Sequence, residues 1–331
     1  MASWFWPWSS GSPAGEAGGS GSNSSPPAGI TKWSDGVYNL SQPVDPPNVD
    51  IVFIHGLQMF DYREAYWKTW IGGKKDEDGK EFCWPMTWLK EDLPRARIWS
   101  LSYDSTAWRT STTGNMDGFA SGETLLQEMV EYCSIGQDNH PVVFACHSLG
   151  GLIVKEIVIL AHNTFRMNKK YVNFLQSIRG YLFYSTPHDG SHLADYLKHM
   201  PKMGKMVPRL RVINAGIGRL NADFERIERE NYPNQWQFSA IGEAYNTKVP
   251  VTPINMKVVE EASARHGYKF ITVLTDHFGV CKPEDKTSTS YIRLLNLVKD
   301  VVGDNPSPQT NDESKRERSK LIDSKYTQRK K

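Results

Sequence analysis

Few features of this sequence fix its class at a glance. Cysteine is scarce, four residues in 331, and Cys83, Cys133, Cys146 and Cys281 lie far apart with no C-x-x-C pair. Metal-ligand spacing is therefore absent, no metal is expected, and a disulfide framework is not expected in a chain of this size. Free thiols in a reducing, intracellular compartment are the simpler reading. No apolar run is long enough to cross a bilayer as a helix, and no internal repeat is visible. The formal net charge of +2 carries no large excess of either sign, and nucleic acid is not an expected partner. Residues 1–29 have neither the basic nor the apolar region of an ordinary signal peptide, and none of the arginine of a matrix transit peptide.

What is present is unevenly distributed. Trp4, Phe5, Trp6 and Trp8 precede a stretch of Gly, Ser, Pro and Ala, so residues 1–29 read as a disordered Trp-rich tail and linker. Aromatic rings of this kind suit a membrane interface. The plainer reading is a tail with incidental aromatics, or one that docks on its own domain. Residues 304–331 read as a disordered basic tail containing Lys315, Arg316, Arg318, Lys320, Lys325, Arg329, Lys330 and Lys331. Each such residue near an anionic lipid surface contributes on the order of 1 kcal/mol. Peripheral, salt-sensitive membrane contact is the functional expectation for the two ends. The folded unit is expected over 30–303.

That unit is organised around Pro141 to Ala161. A short apolar, β-rich run, Val142-Val143-Phe144-Ala145, leads into Cys146-His147-Ser148-Leu149-Gly150, and a long apolar helical segment follows from near Gly150. A serine pressed into a strand-to-helix turn is the nucleophile elbow of α/β-hydrolases, usually G-x-S-x-G, with Cys146 standing here at the first position. The plainer alternative is a βα turn with a serine N-cap. Upstream, the strand Val49 to Ile54 breaks at His55-Gly56-Leu57. The backbone N–H groups of Leu57 and of Leu149, the residue after the serine, are the expected oxyanion-hole donors.

Strands are expected at Ala96–Tyr103, Gly180–Tyr184, Trp236–Ile241 and Phe270–Leu274, with a further short run at Met256–Val259. Helices are expected near Trp84–Leu93, Glu123–Ser134 and Thr287–Val302. The alternation predicts a mostly parallel central sheet with helices on both faces. Residues 191–234 interrupt it. They read either as a helical cap whose Met and Lys would meet lipid, or as a helical excursion burying its apolar face on the sheet.

A serine hydroxyl needs an imidazole to take its proton, and the imidazole needs a carboxylate to fix its tautomer. In this fold the order is Ser, acid, His. Of nine histidines only His266 and His277 follow residue 200. His277 lies just past the last strand, whereas His266 precedes that strand. His147 should turn its ring away from the serine into packing, and His55 should shape the oxyanion loop. Glu243, after the penultimate strand, is the preferred acid and Asp189 the alternative. Glu260 or Glu261 would serve only if the 256–259 run were the relevant strand, and Asp276 is too close to His277 to reach its ring.

Several blocks in one order resemble a particular family. They are Ile54-His55-Gly56-Leu57, Cys83-Trp84-Pro85 with Trp88-Leu89, Ala96-Arg97-Ile98 running to Tyr103-Asp104, and His147-Ser148-Leu149-Gly150-Gly151-Leu152-Ile153-Val154-Lys155. Phe183-Tyr184-Ser185-Thr186-Pro187-His188 with Gly190-Ser191, and His277 leading to Cys281-Lys282-Pro283, complete them. From about Asp50 to Val302 the chain resembles the catalytic region of serine-active-site-containing proteins, a branch of the lipase-like α/β-hydrolases. The resemblance implies a glutamate after the penultimate strand, matching Glu243, and a Ser-Ala motif, present as Ser263-Ala264. It implies a Ser148–His277–Glu243 triad without cofactor that acts on a lipid ester through an acyl-enzyme. It also implies phospholipid remodelling, notably of phosphatidylglycerol, near endoplasmic reticulum–mitochondrion contacts. A soluble carboxylesterase with a small substrate, or a non-catalytic scaffold at membranes, are the competing expectations.

Overall fold

The computed structural model describes residues 26–57, 62–76, 78–104, 108–110, 116–137, 140–190, 192–199, 207–249 and 252–303. The Trp-rich stretch, most of the linker, the basic tail and residues 200–206 of the expected cap lie outside the described residues.

The chain opens with a hairpin, β1 (Thr31–Ser34) and β2 (Val37–Ser41), turned at Asp35-Gly36, where Gly36 has φ 87°. Then come β3 (Val49–Ile54), α1 (Ala65–Lys68), a π-helical turn at Pro85–Leu89 that runs into α2 (Lys90–Asp92), and β4 (Ala96–Leu101). A small hairpin, β5 (Trp108–Thr110) and β6 (Met116–Phe119), leads into α3 (Ala120–Gln127). The central unit is β7 (Val142–His147), α4 (Gly150–Thr164), α5 (Lys169–Ser177) and β8 (Ile178–Tyr184). After α6 (Leu193–Lys198) and α7 (Val207–Asn231) come β9 (Gln237–Glu243), the two-residue strands β10 (Thr247–Lys248) and β11 (Asn255–Met256), α8 (Glu261–Arg265), β12 (Lys269–Val273) and α9 (Thr289–Val302).

Among the described residues, eight strands form one sheet in the order β1-β2-β4-β3-β7-β8-β9-β12. Every pairing from β4 to β12 is parallel, and the hairpin adds two antiparallel strands at the β4 edge. β3, β4 and β7 are buried along their whole length, as strands covered on both faces must be, which is why they read as continuous apolar runs. One apolar layer joins α3, α4, α5 and α7 to the sheet through Leu126, Ile157, Phe174 and Phe224. The other holds Trp67, Trp84, Tyr291 and Leu294 against Phe53 and Tyr184. Asp50 is fully buried at the opposite end of the sheet from the loops described below. It accepts from Arg97 Nε and Nη2 at 2.6 and 2.7 Å, from Trp99 Nε1 at 3.0 Å and from Gly136 N at 3.2 Å, so its charge is paired and its lone pairs are filled.

Three details were not settled by the sequence. The 256–259 run is not a strand of the main sheet: only Asn255–Met256 pairs, with Thr247–Lys248, and Val258 and Val259 serve Glu243 instead. The hairpin at 31–41 was not expected. Within 191–234, α7 lays Ile217, Leu220, Phe224 and Ile227 into the core beside α4, as the burial alternative required. Because the central strands are parallel, Ile54, His147, Tyr184, Glu243 and Val273 all end at one rim, and the loops that leave them converge there.

Candidate active site

The serine occupies the sharpest turn of that rim. β7 stops at His147 and α4 starts at Gly150, so Ser148 must reverse the chain almost alone, and it does so with φ 51°. A non-glycine residue held in the left-handed region costs about 1–3 kcal/mol and persists only where its surroundings impose it. Here the Ser148 N–H donates to Tyr184 O at 2.8 Å. A Cβ at Gly150 would come within 2.3 Å of Ile54 O and 2.6 Å of His55 O, and one at Gly56 within 2.7 Å of Ser148 Cβ. The two glycines therefore let the β3 loop and the serine turn touch. The N-cap alternative fails: Leu149 is the cap of α4, with no side-chain bond, and the serine hydroxyl points elsewhere.

It points at His277. Ser148 Oγ and His277 Nε2 are 2.9 Å apart, and His277 Nδ1 lies 2.8 Å from Glu243 Oε2. The three side chains come from positions as much as 129 residues apart. Their exposures of 2%, 1% and 2% leave almost no water among them. Glu243 Oε1 accepts the backbone N–H groups of Val258 and Val259 at 3.2 and 3.0 Å. Burial pushes the Glu243 carboxyl up, but His277, the nearby Ser185 hydroxyl and the Val259 N–H outweigh it and hold the group at about 2. A carboxylate so held stays ionised, keeps a proton on Nδ1 and leaves Nε2 facing the serine as an acceptor.

Leu57 and Leu149 flank the serine. Neither N–H has a hydrogen-bond partner among the described residues, although both residues are buried. Buried N–H groups are nearly always paired, so two open ones on the serine turn and the loop against it suit the oxyanion-hole role expected of them. His55 sets this loop. Its Nε2 accepts the Tyr103 N–H at 3.2 Å, its Nδ1–H donates to Gly56 O at 2.7 Å, and its ring stacks on Tyr103. Burial lowers its pKa to about 4, against a smaller opposing effect of the Gly56 bond, so the ring is neutral near pH 7.

His147 differs from expectation. Its ring is turned away from the serine but is not idle in packing: Nε2 lies 2.8 Å from His277 O. Burial first, then the neighbouring His277, lowers its pKa to about 3, so it is a neutral donor to that carbonyl. Asp189, the alternative acid, does not meet His277; its carboxylate faces His266 Nδ1 at 3.4 Å. His266 in turn meets Glu225 at 2.9 Å rather than Ser148. Glu260 and Glu261 face His192 and Arg265 and lie outside the constellation. Sequence reasoning missed His147, Val258 and Val259. The first stood in plain view beside the serine; the other two act through backbone, which no side-chain pattern reports. Among the described residues no group of three metal-ligating side chains occurs, and no helix is long and apolar enough to cross a membrane.

The strand order, the left-handed serine after β7 and the Ser–His–Glu relay have the arrangement of a serine-esterase site on the α/β-hydrolase fold. Residues 51–199 match the family described as "Putative serine esterase (DUF676)". It is 31% identical to Protein SERAC1 of Bos taurus, and 30% identical to that of Homo sapiens, over 82% of its own length in each case. It spans 42% of the length of either relative. Among solved structures, the phospholipase PlaB of Legionella pneumophila, in complex with thio-NAD, superposes with a TM-score of 0.53 over 83% of this chain and 62% of that one. At 12% identity that likeness speaks for the fold alone.

Proposed function

We propose that this chain hydrolyses or transfers an acyl group of a lipid ester through Ser148, His277 and Glu243. The observation that carries the reading is the unbroken, buried hydrogen-bond relay from Ser148 Oγ through the His277 ring to Glu243. Ser148 Oγ attacks the ester carbonyl while its proton passes to His277 Nε2. The oxyanion accepts from the Leu57 and Leu149 N–H groups, and the protonated His277 releases the alcohol by returning the proton to it. Water, or a second alcohol, then takes the acyl group from the serine by the reverse steps. Glu243 keeps Nδ1 protonated and offsets the imidazolium charge.

The substrate class is the finer part of the proposal. A phospholipid of the phosphatidylglycerol type is supported by the family resemblance of the motif blocks. The same support extends to a location near endoplasmic reticulum–mitochondrion contacts. Aromatic residues at one end and basic residues at the other suit peripheral attachment to an anionic bilayer. The test is a fluorophosphonate probe on the full chain and on its Ser148→Ala variant, followed by a panel of phospholipid and short-chain esters with phosphatidylglycerol vesicles present or absent. Labelling of the wild type alone, with turnover of the phospholipid, is expected. Equal labelling of both removes Ser148 from the chemistry, and turnover confined to short esters favours a soluble carboxylesterase.

A further inference from the structure

Several residues of the motif blocks take no part in the proposed relay, and they meet around one loop, Ser185–Gly190, which follows β8. Lys155, on α4, is fully buried. Its Nζ donates to His188 Nδ1 at 2.8 Å and to Asn221 Oδ1, on α7, at 2.7 Å. Asn221 Nδ2 donates back to the His188 carbonyl. The His188 ring stacks on His266 with centroids 4.9 Å apart. The Ser263 hydroxyl donates to Gly190 O at 2.8 Å and accepts the Asp189 N–H at 3.0 Å. One end of the loop is thus gripped from α4, α7 and α8 at once.

The other end touches the chemistry. Ser148 N–H donates to Tyr184 O at 2.8 Å, and Ser185 N–H donates to Ile241 O at 2.7 Å, two residues before Glu243. Residues 184 and 185 therefore bridge the nucleophile turn to the strand that ends in the acid. Ser185 is held at φ 44°. Its hydroxyl is buried beside the Glu243 carboxylate without closing a hydrogen bond of normal length. The Thr186 hydroxyl is also buried and unbonded, against Gly151, where a Cβ would come within 2.2 Å of it. A left-handed serine and two unsatisfied hydroxyls in sequence are unfavourable in themselves and need an external hold.

We propose that Lys155 and His188 are positioning residues: their contact holds the Ser185–Gly190 loop so that Ser185 stays pressed against Glu243 and fixes how that carboxylate meets His277. The inference rests on the triad reading given above. The test uses the full chain with Lys155→Met, His188→Leu, His188→Asn and Ser185→Ala. It reads kcat and KM on a chromogenic ester, the thermal midpoint, and the downfield proton NMR signal of His277 Nδ1–H. Lys155→Met and His188→Leu should lower kcat about tenfold or more with KM within about twofold, because small misplacements in a triad act on the chemical step. The downfield signal should broaden or shift. His188→Asn, whose Oδ1 can stand where Nδ1 stood, should keep most of the activity. Adding Ser185→Ala to Lys155→Met should cost nothing more, since both act through the same contact. Multiplying losses in that cycle, or a folded Lys155→Met protein with wild-type kcat, overturns the inference. If Lys155→Met does not fold, equal kcat in the two His188 variants overturns it. A wild type that takes no fluorophosphonate yet shows the downfield signal removes the triad reading alone; the clamp is then judged on the signal, and its persistence unchanged in Lys155→Met overturns it.

Discussion

Replacing Glu243 by glutamine should disable the site while sparing the fold. In the wild type Oε1 takes two backbone N–H groups, from Val258 and Val259, and Oε2 takes the His277 Nδ1 proton. Glutamine has one oxygen. Keeping it on the two fixed N–H groups satisfies both, and swapping it away would leave a buried N–H facing an NH₂ group. The amide nitrogen therefore ends up 2.8 Å from Nδ1, where the wild-type oxygen was, and donates to it. The His277 proton is then driven to Nε2, the nitrogen 2.9 Å from Ser148 Oγ, which can no longer accept the serine proton. A carboxylate-to-amide change that imposes the wrong tautomer in a serine–histidine relay costs about 10⁴ in kcat, or about 5 kcal/mol of transition-state stabilisation. We expect a fall of 10³–10⁴ for Glu243→Gln, to that order of magnitude, with KM little changed. The assay is steady-state turnover of a chromogenic ester, with circular dichroism and a thermal melt as the check on folding. A well-folded variant within about tenfold of wild type would refute the tautomer reasoning.

Other outcomes follow from the same geometry. Gly150→Ala sets a Cβ against two backbone carbonyls that cannot yield; a loss of more than about 3 kcal/mol by urea unfolding is expected, and unchanged stability would show that the β3 loop moves freely. His147→Leu removes the donor to the His277 carbonyl and should reduce kcat about tenfold, with His147→Gln recovering part of it; identical rates for the two would leave that bond without a role. Glu243 is depressed from its ordinary 4.5 to about 2, burial opposing and His277 prevailing. Its contribution is therefore present above pH 4.5 and lost as pH falls toward 2. Comparing acid unfolding of wild type and Glu243→Gln should reveal a difference on the order of 3 kcal/mol across that window, and superimposable curves would contradict the shift.

How much of this was legible varies with where the information sits. β3, β4 and β7 are buried on both faces and announce themselves as apolar runs, so their bounds were readable within a residue or two. Ser148, His277 and Glu243 were readable because each ends or follows such a run, and a parallel sheet carries all such ends to one rim. The β1–β2 hairpin was missed although Asp35-Gly36 is a strong turn signal, since β1 is largely exposed and has little apolar pattern. The role of His147 escaped because sequence adjacency to Ser148 says where a side chain starts and not what lies opposite. Lys155, His188, Asn221 and Ser263 come from three helices and a loop, and only the packed tertiary structure brings them together.

The sheet order has a consequence for how the protein loses activity on warming. Ser148 hangs from β7, which has neighbours on both sides, but His277 follows β12, an edge strand that among the described residues pairs with β9 alone. Short, half-exposed edge segments open first in a folded protein, with free energies well below that of global unfolding. Fraying of β12 would withdraw His277 while leaving Ser148, its turn and most of the core intact. Heat inactivation should then run ahead of the calorimetric transition and reverse on cooling. Amide exchange should be fastest in the last strand and slowest around Ser148, so that the protein stays folded at temperatures where it no longer turns over.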